Sequence, residues 1–343
     1  MKAVPASSGT WPGEVIVPLV PANKSIGDKV TVPSEVSFQD NGAQVCGAEK
    51  IRPEVRYSWW RDWTELCKVR LNSLVLYTVV VGYVSGSAWQ GGWTEARLFW
   101  TLLGTALLAF GASVLNQYLE RDLDARMVRT QRRPLPAGRV SPESALRGGV
   151  LLACAGLLVL VATTPPITAL LGATTLGLYL GVYTPLKTRS TINTLVGAVA
   201  GALPPLIGWS AARGELEWPA WSLFLMQFLW QFPHFWAIAW LYREDYARAS
   251  MKMVPVLDPN GRMTGRLLVN HCLVLAAVSF SPVLTGLSGT RYLVAAVALG
   301  AAFVLSAWWF LLTPNRARAR LVLWTSLIYL PALFTILLVD GTA

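Results

Sequence analysis

Asn116, Glu120 and Asp124 recur every four residues in the stretch Asn116-Gln-Tyr-Leu-Glu120-Arg-Asp122-Leu-Asp124. On a helix these positions share one stripe, so three side-chain oxygens can face a single hard cation. Asp122 then points elsewhere unless the helix breaks. Mg2+ commonly binds one or two carboxylates and completes its shell with water and substrate phosphates. Arg126, Arg129, Arg132 and Arg133 follow within eight residues, and a guanidinium fork matches phosphate oxygens. The stretch has the parts of a cation–phosphate clamp. The plainer alternatives are a charge-balanced solvated loop and a topology signal, which accounts for many loop arginines.

Two further clusters offer related chemistry. Arg243, Glu244, Asp245, Arg248 and Lys252 set adjacent carboxylates among bases. Such a set can hold a cation and an anion together, although an amphiphilic loop looks the same. Tyr183-Thr-Pro-Leu-Lys187-Thr-Arg189 ends an apolar run. Lys187 there is either a phosphate contact or an anchor reaching for the interface. His234 lies inside an apolar run beside Pro233. An ionisable residue at membrane depth marks a functional site by default, and neutral imidazole is a natural axial ligand for haem iron. The alternative is a neutral ring bonded to a carbonyl freed by the proline. No Gly-rich phosphate loop, Cys/His metal pattern or nucleophile elbow is present.

The elements that must carry these residues are membrane helices. The 343 residues are 54% hydrophobic and 14% charged, with sixteen Trp, a membrane composition with interfacial aromatics. The net charge of +10 fits basic loops facing anionic lipid better than nucleic acid. The four cysteines have no metal-type pairing, and Cys154 and Cys272 read as packing residues in apolar runs. Residues 1–56 are polar and without period and read as a disordered cytoplasmic tail, followed by a domain over 57–343. The first 50 residues hold no Arg and five acids, which excludes an Arg-rich transit peptide. Residues 57–70, with Trp59, Trp60, Trp63, Lys68 and Arg70, form an interfacial approach.

Nine apolar runs follow, near 71–88, 98–117, 146–164, 167–186, 191–211, 219–241, 267–287, 291–313 and 320–339. Each is roughly the ~20 residues that cross a bilayer. Twenty of the 29 basic residues sit in 57–70 and in every second loop thereafter, while the intervening loops hold only Arg97, Arg213 and Arg291. The positive-inside rule then sets the N-terminus in the cytoplasm and the C-terminus outside. All the ionisable clusters fall on the cytoplasmic face. Gly197, Gly201, Pro204, Pro205 and Gly208 suit close helix approach and bending. The long charged loops 118–147 and 242–266 echo each other, as in a repeat of four spans plus one extra.

Together the stretches NQYLERDLDARMVRTQRRPLPAGRVS (116–141), YTPLKTRS (183–190), GALPPLIGW (201–209) and FPHFWAIAWLYREDYARASMKMVPV (232–256) resemble the UbiA superfamily of intramembrane prenyltransferases. Within it, they are most similar to the branch that farnesylates protoheme IX. The resemblance covers about residues 64–340, all nine spans but not the tail. The superfamily's first motif is Asn with Asp at +4 and +8; here Glu120 stands for the first Asp. Its second has two Asp four apart; here only Asp245, preceded by Glu244, remains.

The resemblance implies an all-α bundle of nine transmembrane helices around a central cavity, in a bacterial inner membrane. It implies Mg2+ as cofactor, held by Asn116, Glu120 and Asp124 with Asp122 in support, and by Glu244 and Asp245. Asn116, Glu120, Asp124 and Asp245 would be the catalytic set. Arg126, Arg129, Arg133, Lys187, Arg189, Arg243, Arg248 and Lys252 would bind the diphosphate of farnesyl diphosphate, and His234 would face haem. The implied reaction ionises farnesyl diphosphate; a vinyl group of haem B captures the allylic cation and water completes haem O. The product would serve a downstream haem A synthase or haem-copper oxidase. A relative with a quinone-precursor or chlorin acceptor is the nearest rival, although the stretch 232–256 disfavours it. A transporter or a non-catalytic haem-handling protein is the rival of another class, disfavoured by charges gathered at one face rather than at mid-membrane.

Overall fold

The computed structural model describes residues 58–91 and 93–341, so the expected tail over 1–56 lies outside the described residues. Every regular element among them is helical. A short helix α1 (Trp59–Leu66) precedes α2 (Val69–Gln90), α3 (Glu95–Asp124) and α4 (Pro142–Thr163). Then come α5 (Pro166–Leu186), α6 (Asn193–Arg213), α7 (Trp218–Leu241), the short α8 (Arg243–Arg248) and the single turn α9 (Val254–Leu257). The chain ends in α10 (Arg262–Leu284), α11 (Thr290–Leu312) and α12 (Arg316–Gly341).

Eight of these helices are long and apolar enough to cross a membrane, so the chain is a multi-pass membrane protein. Nine spans were expected from the sequence. The ninth long helix, α7, has 24 residues but falls outside the eight, for a compositional reason. Its length is taken up by five Trp, two Gln, two Pro and His234 rather than by aliphatics, and indole and amide groups lower mean hydropathy. Leu151, Leu158 and Leu170 point outwards, the arrangement hydrocarbon solvent favours. Cys154 does too, so only Cys272 of the two expected packing cysteines is buried.

The basic loops meet at one end of the bundle and the others at the opposite end. Lys252 N donates to Lys187 O, and Val128 N to Asp245 Oδ1. At the far end Arg213 reaches the carbonyls of Gln90 and Gly91, and Asp340 accepts from the backbone N–H groups of Gly289 and Tyr292. Alternating up and down helices produce this segregation.

Three local features shape the site's walls. Helices α2 and α6 approach until their backbones touch: a Cβ on Gly208 would collide with Val79 O, and one on Gly82 with Pro205 O. Helix α6 breaks at Leu203 ahead of Pro204-Pro205, which lack backbone donors. Helix α5 widens into a π-helical turn over Leu178–Tyr183, a distortion common at functional sites. Pro233 lies inside α7, whose helical assignment runs unbroken through it.

Candidate active site

The helical stripe predicted for Asn116, Glu120 and Asp124 is realised because α3 outlasts its apolar run by two turns. All three side chains are buried, at 1%, 5% and 1% exposure. Each meets one basic side chain from elsewhere in the chain. Lys68 Nζ donates to Asn116 Oδ1 at 3.3 Å, Lys187 Nζ to Glu120 Oε1 at 2.5 Å, and Arg133 Nη1 to Asp124 Oδ2 at 2.7 Å. Asp122 lies off the stripe with its side chain 78% exposed, 3.8 Å from Arg121.

The π turn of α5 explains how Lys187 arrives. It lets Thr184 Oγ1 donate to Tyr179 O at 2.8 Å while accepting from Asn116 Nδ2 at 3.1 Å. It also stacks Tyr179 on Tyr183, with centroids 5.6 Å apart, and the Lys187 ammonium lies 4.5 Å from the Tyr183 ring. Burial pushes the Lys187 pKa down, but the Tyr183 phenol, the Glu120 carboxylate and Tyr179 outweigh it, so the net direction is up. Lys187 is thus held between the Glu120 carboxylate and the Tyr183 ring and is not a free anchor.

The second acidic cluster is joined to the first by a small apolar bolt. Met127, Ala249 and Met251 are buried together, with Leu123 and Tyr246 against them. Asp245 Oδ1 accepts from Val128 N at 3.2 Å and from Arg248 Nη1 at 3.0 Å. The Arg129 guanidinium lies 5.0 Å from the Tyr242 ring and 6.0 Å from that of Tyr246. Burial raises the Tyr246 pKa, with Arg129 opposing.

Asp245, Arg129 and Arg248 thus join the neighbourhood of the first cluster, but Glu244 does not. One residue further round the helix, it is exposed and lines a surface cleft with Arg243, Trp240, Pro314 and Arg316. Arg243 stacks on Trp240 at 4.6 Å on that same side. Arg126, Arg132, Arg189 and Lys252 have exposed side chains.

The sequence places Lys68 only within the interfacial approach to the first span. It stands at the α1–α2 corner with left-handed backbone angles, φ 47° and ψ 47°, a conformation rare for a residue with a Cβ. Burial, then the charges of Arg133 and Lys187, lower its pKa to about 7, against the pull of Glu120 and Asp124. No pattern in the sequence marks a left-handed lysine.

His234 is half-buried and stacked on Trp230, centroids 4.7 Å apart. Its Nδ1 lies 2.8 Å from Ser326 Oγ on α12 rather than on a backbone carbonyl. That hydroxyl donates to Leu323 O at 2.6 Å, so Nδ1–H is the donor to Oγ and the lone pair rests on Nε2. Nearby on α7 an aromatic series runs Phe224–Phe228–Phe232–Trp236, with successive centroids 5.9, 5.2 and 5.5 Å apart.

The stripe suits a hard cation. Asp124 Oδ1 is buried with no hydrogen-bond partner, a costly state for a carboxylate oxygen. The Asn116 and Glu120 oxygens are already covered by ammonium groups, which occupy positions a metal ion can take. Among the described residues no three His, Cys, Asp or Glu side chains converge as a metal cage. The donor set is a carboxamide and two carboxylates, which leaves coordination to a phosphate-bearing partner, as Mg2+ prefers.

Known proteins share the sequence and fold of this chain. The UbiA prenyltransferase family matches residues 75–330. A protoheme IX farnesyltransferase of Solibacter usitatus is 45% identical over 82% of this chain and 98% of its own. One of Salinibacter ruber is 43% identical over 81% and 98%. Among solved structures, a digeranylgeranylglyceryl phosphate synthase superposes with a TM-score of 0.70 at 16% identity, over 82% of this chain and 98% of that one. A UbiA homologue of Archaeoglobus fulgidus bound to GPP and Mg2+ gives 0.55 at 15% identity, over 80% and 99%. The family match and these relatives, covered over nearly their whole length, show that the chain belongs to the UbiA prenyltransferase family.

Proposed function

We propose that the chain transfers the farnesyl group of farnesyl diphosphate to a vinyl group of haem B, and that water adds to the resulting cation with loss of a proton, giving haem O and diphosphate. The observation that carries this reading is the buried stripe Asn116, Glu120 and Asp124, each member paired with a base. The acceptor comes from relatives named protoheme IX farnesyltransferase over nearly their whole length.

Breaking the C–O bond of farnesyl diphosphate leaves negative charge on the diphosphate oxygens. Asn116, Glu120 and Asp124 would hold Mg2+, which when bound would neutralise part of that charge. Lys187 and Arg133 start on the same carboxylates and supply fixed positive charge beside the leaving group, the preorganised stabilisation that lowers such barriers. Arg129 and Arg248 reach the same neighbourhood beside Asp245. The ring faces of Tyr179 and Tyr183, stacked next to Glu120's partner, suit a developing allylic cation and keep water away from it. His234 Nε2 is the nitrogen available to haem iron.

We further infer nine spans, α7 among them, with the site at the cytoplasmic face of a bacterial inner membrane and haem O passing to an oxidase-assembly step. Mass spectrometry of haems from cells expressing the chain tests the reaction. A hydroxyethylfarnesyl gain on haem B that needs farnesyl diphosphate supports it. Modification of a quinone precursor or chlorin instead overturns the acceptor, and no prenylated product overturns the reading.

A further inference from the structure

Lys68 is the one member of the basic triad that faces a neutral partner. Lys187 and Arg133 each lie on a carboxylate, whereas Lys68 Nζ rests on the carboxamide oxygen of Asn116 at 3.3 Å. An ammonium drawn out of water without an anion on it is unfavourable. The fold nevertheless holds it there with three separate restraints. Gln117 Nε2 donates to Leu66 O at 2.7 Å, and Asn72 Nδ2 to Cys67 O at 2.7 Å, so buried amides grip the two carbonyls before the corner. Arg139 Nε pairs with Asp62 Oδ1 at 2.8 Å and Arg139 Nη2 with Glu65 Oε2 at 3.5 Å, fixing α1. Leu66 packs in an apolar cluster with Val114, Leu135, Val140 and Ala145. The left-handed backbone at Lys68 is maintained by this scaffold, and strain held in this way is a mark of a functional position.

We propose that Lys68 is a third cationic contact for the diphosphate, held on Asn116 by the α1–α2 corner and turned from the carboxamide to a phosphate oxygen when the diphosphate and its metal ion enter. This rests on the reading of the stripe as a diphosphate site. A metal ion on the Asn116 oxygen would repel an ammonium resting on that same oxygen, so metal entry drives Lys68 away next to the arriving anion. The corner thereby makes the interfacial helix α1 part of the substrate site.

The test uses the full-length chain in detergent or nanodiscs, as wild type, Lys68→Gln, Lys68→Arg and Asp124→Asn. Two quantities are read at fixed Mg2+: the rise in melting temperature on adding inorganic pyrophosphate, and the KM values for farnesyl diphosphate and haem B. Loss of a charge-assisted contact weakens binding by about tenfold or more. The expected result is that Lys68→Gln lowers pyrophosphate stabilisation and raises KM for farnesyl diphosphate by about that factor. KM for haem B stays within about twofold, and Lys68→Arg recovers most of the loss, as charge replacement should. A Lys68→Gln protein with wild-type pyrophosphate binding overturns the proposal. So does a rise in KM confined to haem B, which would assign Lys68 to a propionate. If Lys68→Gln does not fold, Lys68→Arg with unimpaired folding and no pyrophosphate stabilisation also overturns it. Asp124→Asn separates the two levels: pyrophosphate binding untouched there refutes the stripe reading itself, whatever Lys68 does.

Discussion

Lys187 Nζ lies 2.5 Å from Glu120 Oε1, with both side chains at or below 10% exposure. Glu120 is where the family motif normally carries Asp, and the longer side chain spans the gap to a lysine delivered by the π turn of α5.

Removing one partner of that pair leaves the other charge buried alone, at a cost of about 3–5 kcal/mol. Lys187→Met and Glu120→Gln should each lower kcat/KM by at least about a hundredfold. The double substitution should lose clearly less than the two losses added, because the charges are coupled. A double-mutant cycle on the purified enzyme checks this; additive losses refute the coupling.

Asp124 joins a buried, unpartnered oxygen to the Arg133 contact. Asp124→Asn should therefore reduce turnover about a hundredfold or more. Asp122→Asn, at a side chain 78% exposed, should cost less than a tenth as much. Equal effects in steady-state assays would contradict the geometry.

Chelation of divalent ions should abolish turnover, and Mg2+ should restore it. Farnesyl diphosphate-dependent haem O formation measured with EDTA and then excess Mg2+ decides the matter. Full activity in EDTA would mean that the stripe works through its lysines and arginine alone.

His234 carries its lone pair on Nε2 if its Nδ1–H serves Ser326. The Soret band of the haem-loaded protein should shift in His234→Ala, with a smaller change in Ser326→Ala, where only the ring's orientation is released. An unchanged Soret band in His234→Ala removes the ligand role.

Gly208 has no room for a methyl group, because Val79 O lies where the Cβ would be and a backbone atom cannot turn aside. Gly208→Ala should lower stability by about 1–3 kcal/mol, seen as a lower melting temperature in detergent before any specific loss of catalysis.

The long helices, the basic end of the bundle and the stripe on α3 were legible in the sequence. Hydropathy, loop charge and spacing of four residues are local properties, and a helix converts them directly into geometry. Hydropathy was least decisive for α7, whose aromatics and amides make it a poorer apolar run. The partners of the stripe were not legible. Lys187 meets Glu120 across 67 residues of chain, Lys68 meets Asn116 across 48, and Val128 meets Asp245 across 117. Such pairings follow from which helices pack side by side, from a π turn and from a left-handed corner. Neighbouring carboxylates show the same limit: Glu244 and Asp245 are equivalent in sequence, yet a turn of about 100° on a helix sends one to the outer surface and the other to the site. The kinds of groups available were determined by the sequence alone, because they depend on residue type and short spacing. The tertiary structure decided which charges meet because long-range packing alone brings them within reach.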